Sequence, residues 1–148
     1  MKNEFHNKLL SSMVDVGEPR FNLAHEKLFQ IIVDADEILG LAATGERMLG
    51  QNEWESLSSV CDELIAYAKV HFAEEEETLA SRHYPEIAHH RTVHNTLIEQ
   101  LNEFQKKVSE GNEKDLKELR RWMLEWLLNH VNHEDFAYAQ YFTALKTA

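Results

Sequence analysis

The sequence predicts an all-α protein, an up-down-up-down antiparallel four-helix bundle with an N-terminal arm. Three observations carry this. Five Gly and two Pro in 148 residues are too few for the many turns of a β fold. Long stretches rich in Ala, Leu, Glu and Lys favour helix. Apolar residues recur at alternating steps of three and four through most of the chain, as one buried helix face requires.

Residues 1–17 carry no sustained period and read as an arm, with Met13, Val14 and Val16 able to pack on the body. Residues 18–148 read as a single-domain bundle. Glu18-Pro19 marks the entry to segment A, about Pro19 to Ala43, with Phe21, His25, Leu28, Ile32, Ala35 and Leu39 on one face. Segment B runs from about Asn52, a candidate cap, to Ser81, with the stripe Leu57, Cys61, Leu64, Ala68, His71, Glu75 and Leu79. Segment C runs from about Pro85 to Ser109 along Ile87, His90, His94, Leu97, Leu101, Phe104 and Val108. Segment D runs from about Glu113 to Lys146 along Leu116, Leu119, Met123, Trp126, His130, Tyr138 and Phe142. The connections near 44–51, 82–84 and 110–112 are short or polar, so neighbouring segments run antiparallel.

A net charge of −11 repels phosphate backbones and disfavours both nucleic acid and anionic membrane surfaces as partners. No apolar run approaches the length of a membrane span, and the first eight residues lack the apolar core of a signal peptide. The single Cys61 excludes an intrachain disulfide. Together these favour the cytoplasm.

The stripes also carry polar groups. His71 and Glu75 stand four apart, as do His90 and His94, so each pair shares a helix face. His130 lies near Glu134 and Asp135, and His25 stands alone on segment A. Any one His on an apolar face reads more readily as a hydrogen-bonded core residue. A Glu facing a core is harder to dismiss, because burying its charge unpaired costs several kcal/mol. Four segments each bring such a group inward, and a common centre relieves all of them. Five His and two carboxylates exceed the four ligands usual for one zinc and suit a dinuclear site. Imidazole and carboxylate without thiolate suit iron, manganese or zinc. From His130, Asp135 lies about 140° around an ideal helix, so Glu134 fits the spacing better unless a π-bulge turns Asp135 inward. The remaining histidines, His6, His83, His89 and His133, read as surface residues, and all of Glu74–Glu77 except Glu75 as a solvated face.

The words His25-Glu-Lys-Leu-Phe29, His71-Phe-x-x-Glu75, Tyr84-Pro85 before His90-x-x-x-His94, and Trp126-Leu127-x-x-His130-x-x-x-x-Asp135 resemble the hemerythrin family. The likeness is nearest to the bacterial hemerythrin-like domains, and it covers roughly residues 20–140. It implies two non-haem iron ions joined by an oxo or hydroxo bridge. His90, His94 and His130 would hold one iron, His25 and His71 the other, and Glu75 and Asp135 would bridge them. It further implies that dioxygen binds at the two-histidine iron and is reduced to hydroperoxide. Trp126 and Leu127 match positions near the oxygen pocket, and Leu28, Phe72 and Leu97 are its apolar neighbours by their stripes. Before His25, the family's Ile-Asp-x-Gln is here Phe21-Asn22-Leu23-Ala24. The resemblance points to a binding protein rather than an enzyme, with peroxide- or nitric-oxide-related activity a lesser reading. The alternative function is an oxygen- or redox-sensing input to a fused or separate signalling output module.

Overall fold

The computed structural model describes residues 4–43, 48–111, 114 and 116–147. Every regular element among them is helical: α1 (Glu4–Ser11), α2 (Pro19–Ala43), α3 (Gln51–Ser81), α4 (Ile87–Glu110), α5 (Leu116–His130), a π turn (Val131–Asp135) and α6 (Phe136–Thr147). No helix among the described residues is long and apolar enough to cross a membrane.

Local chemistry sets the boundaries. Pro19 occupies the first turn of α2, where its missing N–H costs nothing, and Glu18 O accepts the amides of Phe21 and Asn22. The cap of α3 is Gly50 rather than Asn52: the Gly50 amide donates to Glu53 Oε1 at 2.9 Å. At the far end of α3, His83 takes a left-handed φ of 57°, which lets the Tyr84 amide reach back to Leu79 O at 3.0 Å. That tight reversal starts α4 beside the end of α3. Gly111, at φ 65°, closes α4 in the same left-handed conformation. The start expected for segment D at Glu113 lies outside the described residues.

Paired side chains show how the helices run. Gln105, late in α4, bonds Asp62, early in α3, at 2.6 Å. Arg120, early in α5, bonds Asp36, late in α2, also at 2.6 Å. Both pairs are antiparallel. All six residues of the segment A stripe are buried. So are Phe29, Ile31 and Val33 of the same helix, which is therefore enclosed on more than one side.

Part of that enclosure is the N-terminal segment, where sequence periodicity gives no element. It holds the eight-residue helix α1. His6, expected at the surface, is buried, with Nε2 2.7 Å from Asp36 Oδ2. Asp36 is thus held by Arg120 from one side and His6 from the other. Behind α1, the Val14 amide donates to Asn132 Oδ1 at 3.0 Å and Asn132 Nδ2 donates to Ser12 O at 3.1 Å. Asn132 belongs to the π turn, so this segment is fastened to the end of the bundle that carries the polar cluster.

Candidate metal centre

At one end of the bundle α2 contributes His25, α3 contributes His71 and Glu75, α4 contributes His90 and His94, and α5 with the π turn contributes His130 and Asp135. All seven are 5 % exposed or less. Their ligand-type atoms form two groups, Glu75–His90–His94–His130–Asp135 and His25–His71–Glu75–Asp135, each within 4.8 Å.

The carboxylate oxygens divide between these groups. Glu75 Oε1 lies 2.7 Å from His90 Nε2 and 3.1 Å from His94 Nε2. Asp135 Oδ1 lies 3.1 Å from both His90 Nε2 and His130 Nε2. The second oxygens face the other way. Glu75 Oε2 is 3.3 Å from His71 Nε2 and 3.8 Å from His25 Nε2, and Asp135 Oδ2 is 3.1 Å from His25 Nε2. Between them the two carboxylates therefore turn one oxygen each toward the set His90, His94 and His130, and the other toward the set His25 and His71.

These short separations are mostly not hydrogen bonds. The Nε2 atoms of His25, His71, His94 and His130 and both Asp135 oxygens are buried without a hydrogen-bond partner. So many orphaned polar atoms at one point would be costly in a finished core. Their donor types suit iron, manganese or zinc, and cations between them would satisfy all of them. The residues fit a pair of metal ions.

The π turn explains why Asp135 is here. It widens the helix by one residue per turn and brings a side chain five positions after His130 inward. Glu134 stays outside, 3.2 Å from His89 on the partly exposed rim. His83, His89 and His133 are exposed, as expected.

Electrostatics follows from the crowding. Burial alone would depress His25, but Asp135 and Glu75 outweigh it and raise the imidazole to about 9. His90 is raised against burial by the same carboxylates to about 10. Burial would raise Glu75, yet its four imidazole neighbours hold it well below the usual carboxylate range. Burial and Glu75 push Asp135 up, and His130 and His25 bring it down further than they raise it.

Of the expected apolar neighbours, Phe72 lies directly on the cluster, stacked on the His94 ring at 3.9 Å and 3°. Trp126, buried, and Leu97, half-buried, line a cleft of about 380 Å³ that also touches His130. Leu28 and Leu127 are fully buried members of the apolar core. Two further residues close the two-histidine side. Phe21 packs edge-on against His71, with centroids 5.7 Å apart. The Tyr138 hydroxyl donates to Glu75 Oε2 at 3.2 Å. Burial and the two carboxylate charges raise Tyr138 far above an ordinary phenol. Both residues lie on stripes visible in the sequence, but their target depends on how the helices assemble. Cys61 is buried in the apolar core, and burial pushes its thiol up to about 12, so it is an inert packing residue.

A family model for the hemerythrin HHE cation binding domain matches residues 19–142. The chain belongs to the hemerythrin family. Among curated hemerythrins, a bacteriohemerythrin from Stenotrophomonas maltophilia is 36 % identical over 84 residues, which cover 57 % of this chain and 54 % of that protein. The chain thus spans about half the length of that relative. A bacteriohemerythrin from Clostridium acetobutylicum is 26 % identical over 125 residues, 84 % of this chain and 92 % of that one. A myohemerythrin from Theromyzon tessulatum is 33 % identical over 81 residues, 55 % of this chain and 62 % of that one. All seven clustered residues fall inside the hemerythrin match.

Proposed function

We propose that this chain is a non-haem di-iron protein that binds dioxygen reversibly. His90, His94 and His130 hold one iron, His25 and His71 hold the other, and Glu75 and Asp135 bridge them. One observation carries the reading: both carboxylates split their oxygens between the same two groups of imidazoles, as bridging ligands must.

Bound there, an iron pair would supply the reversible two-electron chemistry that dioxygen binding needs. The chain does the rest. It offers five donor residues to one ion and four to the other, so room for a small ligand lies on the His25–His71 side. Phe21 and Phe72 keep that side dry, which slows loss of charged oxygen species. Tyr138 holds Glu75 by its second oxygen and fixes the carboxylate across the pair. The imidazole-rich ligand set brings little negative charge and favours binding over oxygenation chemistry.

A second reading, a redox- or oxygen-sensing input, is supported by Asn132. The π turn that delivers Asp135 also grips the backbone at Ser12 and Val14. A change in the centre could therefore reach the N-terminal segment and a signalling module beyond this domain.

Metal analysis with optical spectra of the anaerobically reduced protein, then exposed to air, tests both. Two irons per chain and a visible band that reverses when oxygen is removed support carriage. Direct passage to a stable diferric spectrum, with altered hydrogen exchange over residues 12–16, favours sensing. Failure to take up iron sinks the di-iron assignment, and normal iron content with an unchanged spectrum in Glu75→Ala refutes Glu75 as a bridge.

A further inference from the structure

Within the acidic run Glu74–Glu77, read from the sequence as a solvated face apart from Glu75, Glu76 also reaches the cluster. Glu76 Oε2 lies 2.8 Å from His94 Nδ1, and Glu76 Oε1 lies 3.6 Å from Arg91 Nε. His94 is buried, whereas the Glu76 side chain is 24 % exposed. The opposite nitrogen, His94 Nε2, faces Glu75 Oε1 at 3.1 Å. Phe72 covers the face of the ring. This imidazole is therefore held at Nδ1 and on one face, and its Nε2, which has no hydrogen-bond partner, points into the cluster.

No other imidazole of the cluster is held this way. The Nδ1 atoms of His25, His71 and His130 are buried without a hydrogen-bond partner. Among the described residues no carboxylate pairs with the Nδ1 of His90. An imidazole that donates Nδ1–H to a carboxylate is locked with its lone pair on Nε2 and becomes a more basic ligand. The two metal positions then differ by more than the number of imidazoles. One of them also receives charge from a carboxylate in partial contact with solvent.

We propose that Glu76 is the positioning residue of the three-histidine ion. It accepts the Nδ1–H of His94, presents Nε2 inward as a permanent ligand, and biases that ion toward its higher oxidation state. Arg91 holds the other oxygen of Glu76 and keeps the carboxylate aimed at the ring. The proposal rests on the dinuclear reading above and assigns the pair an asymmetry built by one side chain.

Zinc tests it without redox chemistry. The full chain, Glu76→Gln and Glu76→Ala are titrated with Zn²⁺ against a chromophoric chelator, and imidazole ¹⁵N–¹H spectra are recorded on the loaded proteins. The unmodified chain should bind two ions. Each variant should bind one of them roughly 10- to 100-fold more weakly and keep the other unchanged. The His94 Nδ1–H resonance should lie far downfield in the unmodified chain and move upfield in Glu76→Gln. In the iron-loaded protein, Glu76→Gln should also raise the reduction potential of one iron. Unchanged zinc affinities and an unmoved His94 resonance in both variants would overturn the proposal. So would a lower melting temperature with both affinities retained, since that marks a packing role only. An unmodified chain that takes up fewer than two zinc ions would instead overturn the dinuclear reading beneath it.

Discussion

Loading the metal-free protein with two divalent ions must expel protons, and their number follows from His25 and His90. These rings are held at about 9 and about 10 by Asp135 and Glu75, which prevail over burial. A metal-ligating imidazole gives up its proton, so uptake and release are linked. At about pH 7.5 both rings are protonated, and uptake should release about two protons per chain. At about pH 9.5 His25 is about three-quarters neutral and His90 about three-quarters protonated, so release should fall to about one. A proton drawn from a bridging water at both pH values cancels in the difference. At the lower pH the displacement costs about 2 kcal/mol for His25 and about 3 kcal/mol for His90. The assay adds chelated Zn²⁺ to weakly buffered protein with an indicator dye, and subtracts a chelate-only blank. Equal release at the two pH values, or well under one proton at the lower, would refute the argument. Stability should follow the same sign. Both imidazoles are raised above their ordinary 6.5, so their contribution is complete below that pH. It is lost as the pH climbs through about 9 to about 10, and the metal-free fold should weaken there.

Three further outcomes are expected. Arg120→Leu leaves the buried Asp36 with only His6 and should cost about 2–3 kcal/mol in urea unfolding, below the full penalty of a buried pair because Arg120 is 32 % exposed; an unchanged midpoint counts against the network. Gly40→Ala should destabilise slightly in the same assay, although the change usually strengthens a helix by up to ~1 kcal/mol, because the new Cβ would sit 3.1 Å from an Arg120 nitrogen that Asp36 holds in place. Asn132→Ala removes both bonds to the N-terminal segment, so the Val14 amide should exchange roughly fivefold faster, equivalent to about 1 kcal/mol, while amides in the middle of α3 keep their rates.

The sequence makes the helical layout and six of the seven clustered residues legible for one reason: both depend on the same periodicity. His25, His71, Glu75, His90, His94 and His130 sit on the stripes that must be buried, so burial and convergence come together. Asp135 does not sit on an ideal stripe. Spacing alone favours Glu134, and the π turn reverses that preference. His6 could not be read as buried, because its partner Asp36 is remote in sequence and α1 is too short to show a period. Glu76 lies one position, about 100°, from the buried stripe of α3. It is drawn to His94 only because α4 packs on that side, which the acidic run itself does not reveal.

The π turn also absorbs a length. Surface connections of a bundle can gain or lose a residue with little consequence, since only their ends are constrained. Inside a regular α-helix an extra residue rotates everything downstream by about 100° and shifts it by about 1.5 Å. In Val131–Asp135 the surplus residue is taken up locally, because the wide turn spreads its rotation over more residues than an α-helix does. The last helix therefore stays in phase with the other three. Were residues 131–135 to straighten into α-helix with none removed, Tyr138 would leave Glu75, and Tyr84, which packs edge-on against Tyr138 and Tyr141, would lose both rings. The wide turn thus hides from the last helix the very residue that moves Asp135 inward.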